Sequence, residues 1–116
     1  MTTLTDPEYP KQPEAYYGAR SILLRDVCTV VRGCALDPRP SQKAYNHSTD
    51  GFAWGYGGSG PAQLALAILL DMGLEKDAAL RLHQDFKSDI IAGLPEHFTL
   101  PISEVRKWIS LHKKGG

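Results

Sequence analysis

The sequence has few cysteines, no long hydrophobic run and no excess of charge of either sign. Its 116 residues include two cysteines, and Lys plus Arg equals Asp plus Glu at 13 each. A balanced charge gives no global positive field that would attract nucleic acid, so nucleic acid is a disfavoured partner. Cys28 and Cys34 lack the spacing of zinc or redox motifs and lie among apolar residues, which predicts two small buried thiols.

Hydrophobic runs are too short to cross a membrane. The longest, Leu64 to Leu70, is far below the roughly 20 residues that span a bilayer. The N-terminal segment is polar and rich in proline and lacks the apolar core of a signal peptide. We therefore expect a soluble, cytoplasmic protein with no membrane partner.

The chain is long enough for one domain and too short for two. Domains commonly have roughly 100 to 150 residues. Prolines at positions 7, 10 and 13 favour extended, poorly packed chain. We expect a flexible proline-rich arm over residues 1–15 and a single domain over residues 16–113.

The order of secondary-structure signals predicts an α+β fold. β-Branched residues indicate strands within 22–36, where 27–32 pairs either with 20–25 or with 34–36. Helical patterns follow at 61–72, 75–92 and 102–112. Strands followed by helices predict a small antiparallel sheet from the N-terminal half, packed on a layer of about three helices from the C-terminal half.

The central stretch, residues 50–70, reads DGFAWGYGGSGPAQLALAILL. Its aromatic residues, Phe52, Trp54 and Tyr56, occur at every second position, which predicts a strand with one bulky face. A glycine-rich turn leads to Pro61, a residue favoured at the first position of a helix. The helix that follows is apolar on nearly every side, so it is predicted to be buried all round.

The glycine-rich turn matches the spacing GxGxxG, yet a second helix follows where a dinucleotide fold has a strand. One interpretation is that glycines allow a sharp turn onto a buried helix. The alternative is that free N–H groups at the helix N-terminus bind an anion, such as the phosphate of a nucleotide. The candidate ligand-binding residues are the turn and the polar run before it: Asn46, His47, Ser48, Asp50, Gly57, Gly58, Ser59 and Gly60.

Catalysis and metal binding have weaker support from the sequence. His47 could act as a base, with Ser59 as a nucleophile or Asp50 as an orienting acid. The spacing of these residues in the sequence does not require them to form a catalytic site. We therefore assign no catalytic residue. His83, His97 and His112 are scattered singly, so we predict no metal site and no cofactor.

Basic residues cluster near the end of the last helical pattern, where cations suit the helix dipole. They are Arg106, Lys107, Lys113 and Lys114. One interpretation is a solvated helix face, and the alternative is a patch that binds a partner.

The pattern WGYGGSGPAQLALAIL, together with Tyr16-Tyr17-Gly18 and Asp85-Phe86-Lys87, resembles a family of small uncharacterised proteins from bacteria, phages and integrated elements. The resemblance covers roughly residues 16–112. The family has no known activity, so the resemblance implies no catalytic residue; it implies a small accessory protein of mobile-element type.

We expect a non-enzymatic binding protein with a protein partner, for example an inhibitor of a host defence system such as an anti-CRISPR. The alternatives are a binder of a phosphate-bearing ligand or signalling nucleotide at residues 57–60, and a small enzyme that uses His47.

Overall fold

A computed structural model describes residues 14–21, 27–32, 34–49 and 51–113. The described strands are β1 Ala15–Ser21, β2 Val27–Arg32, β3 Cys34–Ala35 and β4 Phe98–Pro101. The described helices are α1 Arg39–Ala44, α2 Ser59–Asp71, α3 Lys76–Asp89 and α4 Ile102–Lys113, with a 3₁₀ turn at Ile91–Gly93. The predicted α+β class is confirmed.

The described strands form one antiparallel sheet in the order β3-β2-β1-β4. Tyr17 of β1 lies opposite Val31 of β2 on one side and Thr99 of β4 on the other. β2 pairs with both of its sequence neighbours, so each of the two predicted hairpins is present in part. β1 begins earlier than the predicted strand, and β4 was not predicted because four residues are too few to show a periodic pattern.

One face of the sheet packs on the helices through buried side chains, and the contact depends on one glycine. A Cβ atom at Gly18 would overlap the ring of Phe98, so glycine lets this ring lie directly on β1. The buried residues of this face are Tyr16, Val30, Phe98 and Leu100.

Helix α2 lies at the centre of the core. Its residues from Gly60 to Leu69 are all buried, which confirms that the helix is surrounded on every side. The helix begins at Ser59, two residues before the predicted start, with Gly58 as its N-cap. It ends where expected, because Gly73 has a left-handed backbone with φ of 98°.

The strand predicted for residues 52–56 is absent, and this segment is irregular. Phe52 and Trp54 are nonetheless buried, whereas Tyr56 is exposed. The N–H of Gly55 donates to the carbonyl of Ile91, and the indole of Trp54 donates to the carbonyl of Glu96. The alternating aromatic residues predicted burial correctly for Phe52 and Trp54 but not for Tyr56. The backbone bonds to a turn instead of a neighbouring strand.

The prediction of two buried thiols is wrong for Cys34. Cys34 is exposed, because β3 is a two-residue edge strand with both side chains exposed; the side chain of Cys28 lies outside the described residues. Helix α1 was not among the predicted helices, and it begins beside the prolines at positions 38 and 40. They lie at the N-terminus of α1, where a missing N–H does no harm.

The remaining elements lie close to their predicted positions. α3 and the 3₁₀ turn replace one predicted helix over 75–92, and α4 extends one residue beyond the prediction. Of the predicted arm at 1–15, most lies outside the described residues, and Ala15 begins β1. None of the helices in the described ranges has the length and apolar content needed to cross a membrane.

A polar contact connects the sheet to the C-terminal end of α2. The buried Tyr16 hydroxyl donates to Asp71 at 2.6 Å, and the Arg32 guanidinium donates to the same carboxylate oxygen at 3.1 Å. Arg32 also lies 5.6 Å from the centre of the Tyr16 ring. Burial raises the pKa of Tyr16 well above its ordinary value, and the neighbouring Asp71 carboxylate raises it further.

This contact predicts a loss of stability at high pH that depends on Tyr16. The pKa of Tyr16 is higher in the folded chain than in the unfolded chain, so its contribution is fully present below about pH 10 and is lost as the pH rises further. As the pH rises from about 9 to about 11, the free energy of unfolding is expected to fall less for Tyr16→Phe than for the wild type. Urea unfolding at each pH measures this difference.

The matched control is Tyr17→Phe, which removes a hydroxyl from a half-exposed side chain of the same strand. This variant should keep the wild-type dependence of stability on pH. If the stability of Tyr16→Phe depended on pH as that of the wild type does, Tyr16 would not be the group that causes the loss of stability at high pH.

Candidate functional site

The N-terminal half of α2 brings together the two segments singled out in the sequence, the polar run before Asp50 and the turn at 57–60. Gln63 of this helix bonds to His47 and Ser48 in the polar run, and Gly58 of the turn is the N-cap. Gly58 and Gln63 are five residues apart, which is about 7.5 Å along a helix axis. The two segments therefore contact the same half of the helix.

The Gln63 side chain is fully buried and has four hydrogen-bond partners. Its Oε1 accepts from the backbone N–H groups of His47 at 2.6 Å and Ser48 at 2.8 Å. Its Nε2 donates to the Tyr45 carbonyl at 3.1 Å and to the Ser41 hydroxyl at 3.0 Å. Backbone N–H groups only donate and carbonyls only accept, so these partners fix the orientation of the amide and use its full capacity.

Further hydrogen bonds close the segment 41–48 on itself. The buried Ser41 hydroxyl donates to the carbonyl of Pro38 at 2.7 Å, and Gln42 Nε2 donates to the carbonyl of Ser48 at 2.9 Å. The segment is thus connected both internally and to α2.

His47 of this segment contacts a buried histidine of α3. Its Nε2 lies 2.9 Å from Nε2 of His83, and His83 Nδ1 lies 2.7 Å from the carbonyl of Leu80. The carbonyl only accepts, so Nδ1 of His83 carries a hydrogen and Nε2 of the neutral ring is an acceptor. His47 therefore donates to His83 from its own Nε2.

The surroundings of His47 disfavour its charged form. Partial burial lowers its pKa, and the nearby His83 and Lys87 lower it further. A neutral ring is the form that can serve either as a hydrogen-bond donor or as a ligand.

The glycines of the turn are explained by close packing. A Cβ at Gly58 would lie 2.6 Å from the Tyr56 ring, and one at Gly60 would lie 2.6 Å from the Cβ of Ala53. Gly58 has an extended backbone with φ of −141°, so it does not need the left-handed conformation. These contacts support the interpretation of the turn as a folding device, and anion binding at Gly57–Gly60 stays a prediction.

The remaining candidate residues differ in accessibility. Asn46, Gly57 and Ser59 are exposed, whereas His47 and Ser48 are half-buried. Asp50 lies outside the described residues, so the structure does not place it relative to His47. The small-enzyme hypothesis, with His47 acting on Ser59 or with Asp50, also stays a prediction.

Two of the basic residues predicted near the C-terminus lie exposed on α4. They are Arg106 and Lys107. Arg106 lines a cleft of about 1030 Å³ between α4 and the corner that joins α2 to α3. Lys114 and the side chain of Lys113 are outside the described residues.

Sequence reasoning missed Gln63 and His83, the two residues that connect this site. Gln63 had a usable signal, since it is the single polar residue between Pro61 and Leu70. A polar side chain on a helix predicted to be buried needs partners. His83 follows Leu82, another buried residue of α3, and its position in the sequence does not show what it contacts.

The fold and the site define an α+β domain in which a polar loop is bonded to a buried central helix. The chain belongs to a family of unknown function (DUF6166), whose match covers residues 16–111. No curated protein and no solved structure matches the chain.

The Gln63 contacts predict a large loss of stability for Gln63→Ala. This change leaves the N–H groups of His47 and Ser48 and the carbonyl of Tyr45 without their partner, and each unsatisfied buried group costs about 1–3 kcal/mol. The free energy of unfolding is expected to fall by about 2–5 kcal/mol in urea denaturation.

The control for this prediction is Gln84→Ala, which truncates an exposed glutamine of α3. It should change the free energy of unfolding by no more than about 0.5 kcal/mol. If Gln63→Ala were as mild as this control, Gln63 would not be the link between the loop and the helix.

Proposed function

We propose that the chain is a non-enzymatic protein-binding domain. In this proposal the partner contacts the aromatic surface, defined as the exposed side chains of Tyr45 and Tyr56. The observation that carries the proposal is their exposure, 57% for Tyr45 and 55% for Tyr56. Tyrosine is enriched at protein interfaces, where a few aromatic side chains supply much of the binding energy.

Both tyrosines are held in place before any partner arrives. The Tyr45 ring stacks on the His47 ring with centroids 4.3 Å apart, and the Tyr45 carbonyl accepts from Gln63. The Tyr56 ring lies against Gly58, the N-cap of α2. Side chains that are already ordered lose less conformational entropy on binding, which favours affinity.

The chain neighbours of the two tyrosines also suit a protein partner. Residues 45–49 and 55–59 contain no Asp, Glu, Lys or Arg, and the centres of protein interfaces are depleted in charged residues. The charged Arg20 and Glu96 line a cleft beside Tyr56, as suits the polar rim of an interface. Asn46 and Ser59 are exposed and offer polar groups for hydrogen bonds next to the rings.

The finer form of the proposal is a protein of phage or mobile-element type that inhibits a host defence system, for example an anti-CRISPR. Its support is the resemblance of residues 16–112 to a family spread through bacteria, phages and integrated elements. The exposed Arg106 and Lys107 of α4 provide a second surface for contact with such a partner.

The test is capture of the partner from a bacterial lysate by the full chain, with quantification of each recovered protein. Tyr45→Ala combined with Tyr56→Ala is expected to abolish recovery of a protein that the wild type captures in near-stoichiometric amount. The control combines Tyr17→Ala with Leu111→Ala, since these residues are also exposed, at 48% and 68%, and lie elsewhere on the chain.

The control variant should capture the partner as the wild type does, and melting curves should show that both variants are folded. Recovery that is unchanged when Tyr45 and Tyr56 are replaced would refute the aromatic surface as the contact. The absence of any stoichiometric partner for the wild type would refute the protein-binding function.

A further inference from the structure

The sheet has one face that packs on the helices and another that does not. Side chains at directly paired positions of neighbouring strands lie on the same face of a sheet. Tyr17 pairs with Val31 on one side and with Thr99 on the other. Val31 pairs in turn with Ala35. One row of side chains therefore crosses all four strands, on the face opposite to that of the buried Tyr16.

We call this second face the open face of the sheet. Its exposed or half-buried side chains in the described strands are Tyr17, Ala19, Val31, Ala35, Thr99 and Pro101. Ala15 shares the face and is already buried. None of these described side chains carries a charge, whereas the free face of an antiparallel sheet is commonly polar where it contacts water. An uncharged sheet face of this kind is suited to packing against another surface.

A second copy of this chain is the occupant that the charges favour. A face without charged side chains does not repel an identical face, so it is compatible with two-fold pairing, in which both copies use the same patch. The whole chain is also neutral, with 13 basic and 13 acidic side chains, so no long-range repulsion keeps two copies apart. Tyr17 is 48% exposed and is a residue type enriched at protein interfaces.

We propose that the open face is the contact between two copies of this chain, which pack sheet against sheet. Two sheets that pack face to face lie about 10 Å apart, with their strands inclined by about 30°. Tyr45 and Tyr56 lie outside the strands, so this dimer does not use the aromatic surface proposed for the partner.

The size of the open face predicts a weak dimer. Neighbouring strands are about 4.8 Å apart and the seven residues of β1 span about 24 Å, so the sheet offers roughly 400 Å² on each copy. A standard interface buries about 800 Å² on each partner. We therefore expect a dissociation constant on the order of 0.1 mM, with a monomer at low micromolar concentration.

Sedimentation equilibrium of the full chain, from about 10 μM to about 1 mM, tests the proposal. A reducing agent is present throughout, because the exposed Cys34 could otherwise link two copies by a disulfide. The apparent mass of the wild type is expected to rise with concentration from one chain toward two. Thr99→Lys is expected to raise the dissociation constant by about tenfold or more, since it places an unpaired charge in the contact.

The matched control is Thr49→Lys, which adds the same charge at an exposed threonine outside the sheet and should associate as the wild type does. A wild type that stays monomeric at about 1 mM overturns the proposal and points to another occupant, such as residues 1–13 or a different protein. Dimerisation of Thr99→Lys equal to that of the wild type also overturns it, and so does an equal loss in Thr49→Lys. The assay contains only this chain, so none of these results depends on the partner proposed above.

Discussion

The buried amide of Gln63 joins the loop 41–48 to the central helix α2. A helix surrounded by apolar side chains tolerates a polar group only where its hydrogen-bonding capacity is filled. Gln63 meets this condition with four partners, all of which lie in that loop. The contact therefore fixes a segment that has only one short helix of its own, and it positions Tyr45 and His47.

A second constraint at the same end of α2 is steric. Gly60 allows Ala53 to approach the first turn of the helix, and Gly58 allows the Tyr56 ring to lie on the N-cap. One polar contact and one close approach thus hold Tyr45 and Tyr56 at the N-terminal half of a rigid helix. The packing at Gly58 and Gly60 supports an exposed aromatic surface, which connects the fold to the proposed protein-binding function. Anion binding at the same turn stays a prediction.

Much of the fold followed from local pattern, whereas the contacts within the site did not. The apolar run to Leu70 and the glycine at position 73 were enough to predict a buried helix and its end. β4 and the irregular path of residues 52–56 were not predictable, since both depend on backbone partners distant in sequence. The polar run and the glycine turn were identified as candidates by residue type. The contacts of the polar run with Gln63 and His83 exist only in the folded chain.

Native-state hydrogen exchange at the amides of His47 and Ser48 tests the central claim most directly. Both residues lie outside regular secondary structure, yet their N–H groups donate to a fully buried side chain. The account predicts that both amides exchange only through openings close in free energy to global unfolding, as core amides do. Exchange at these two positions as fast as at the exposed Asn46 would show that Gln63 does not hold the loop on α2.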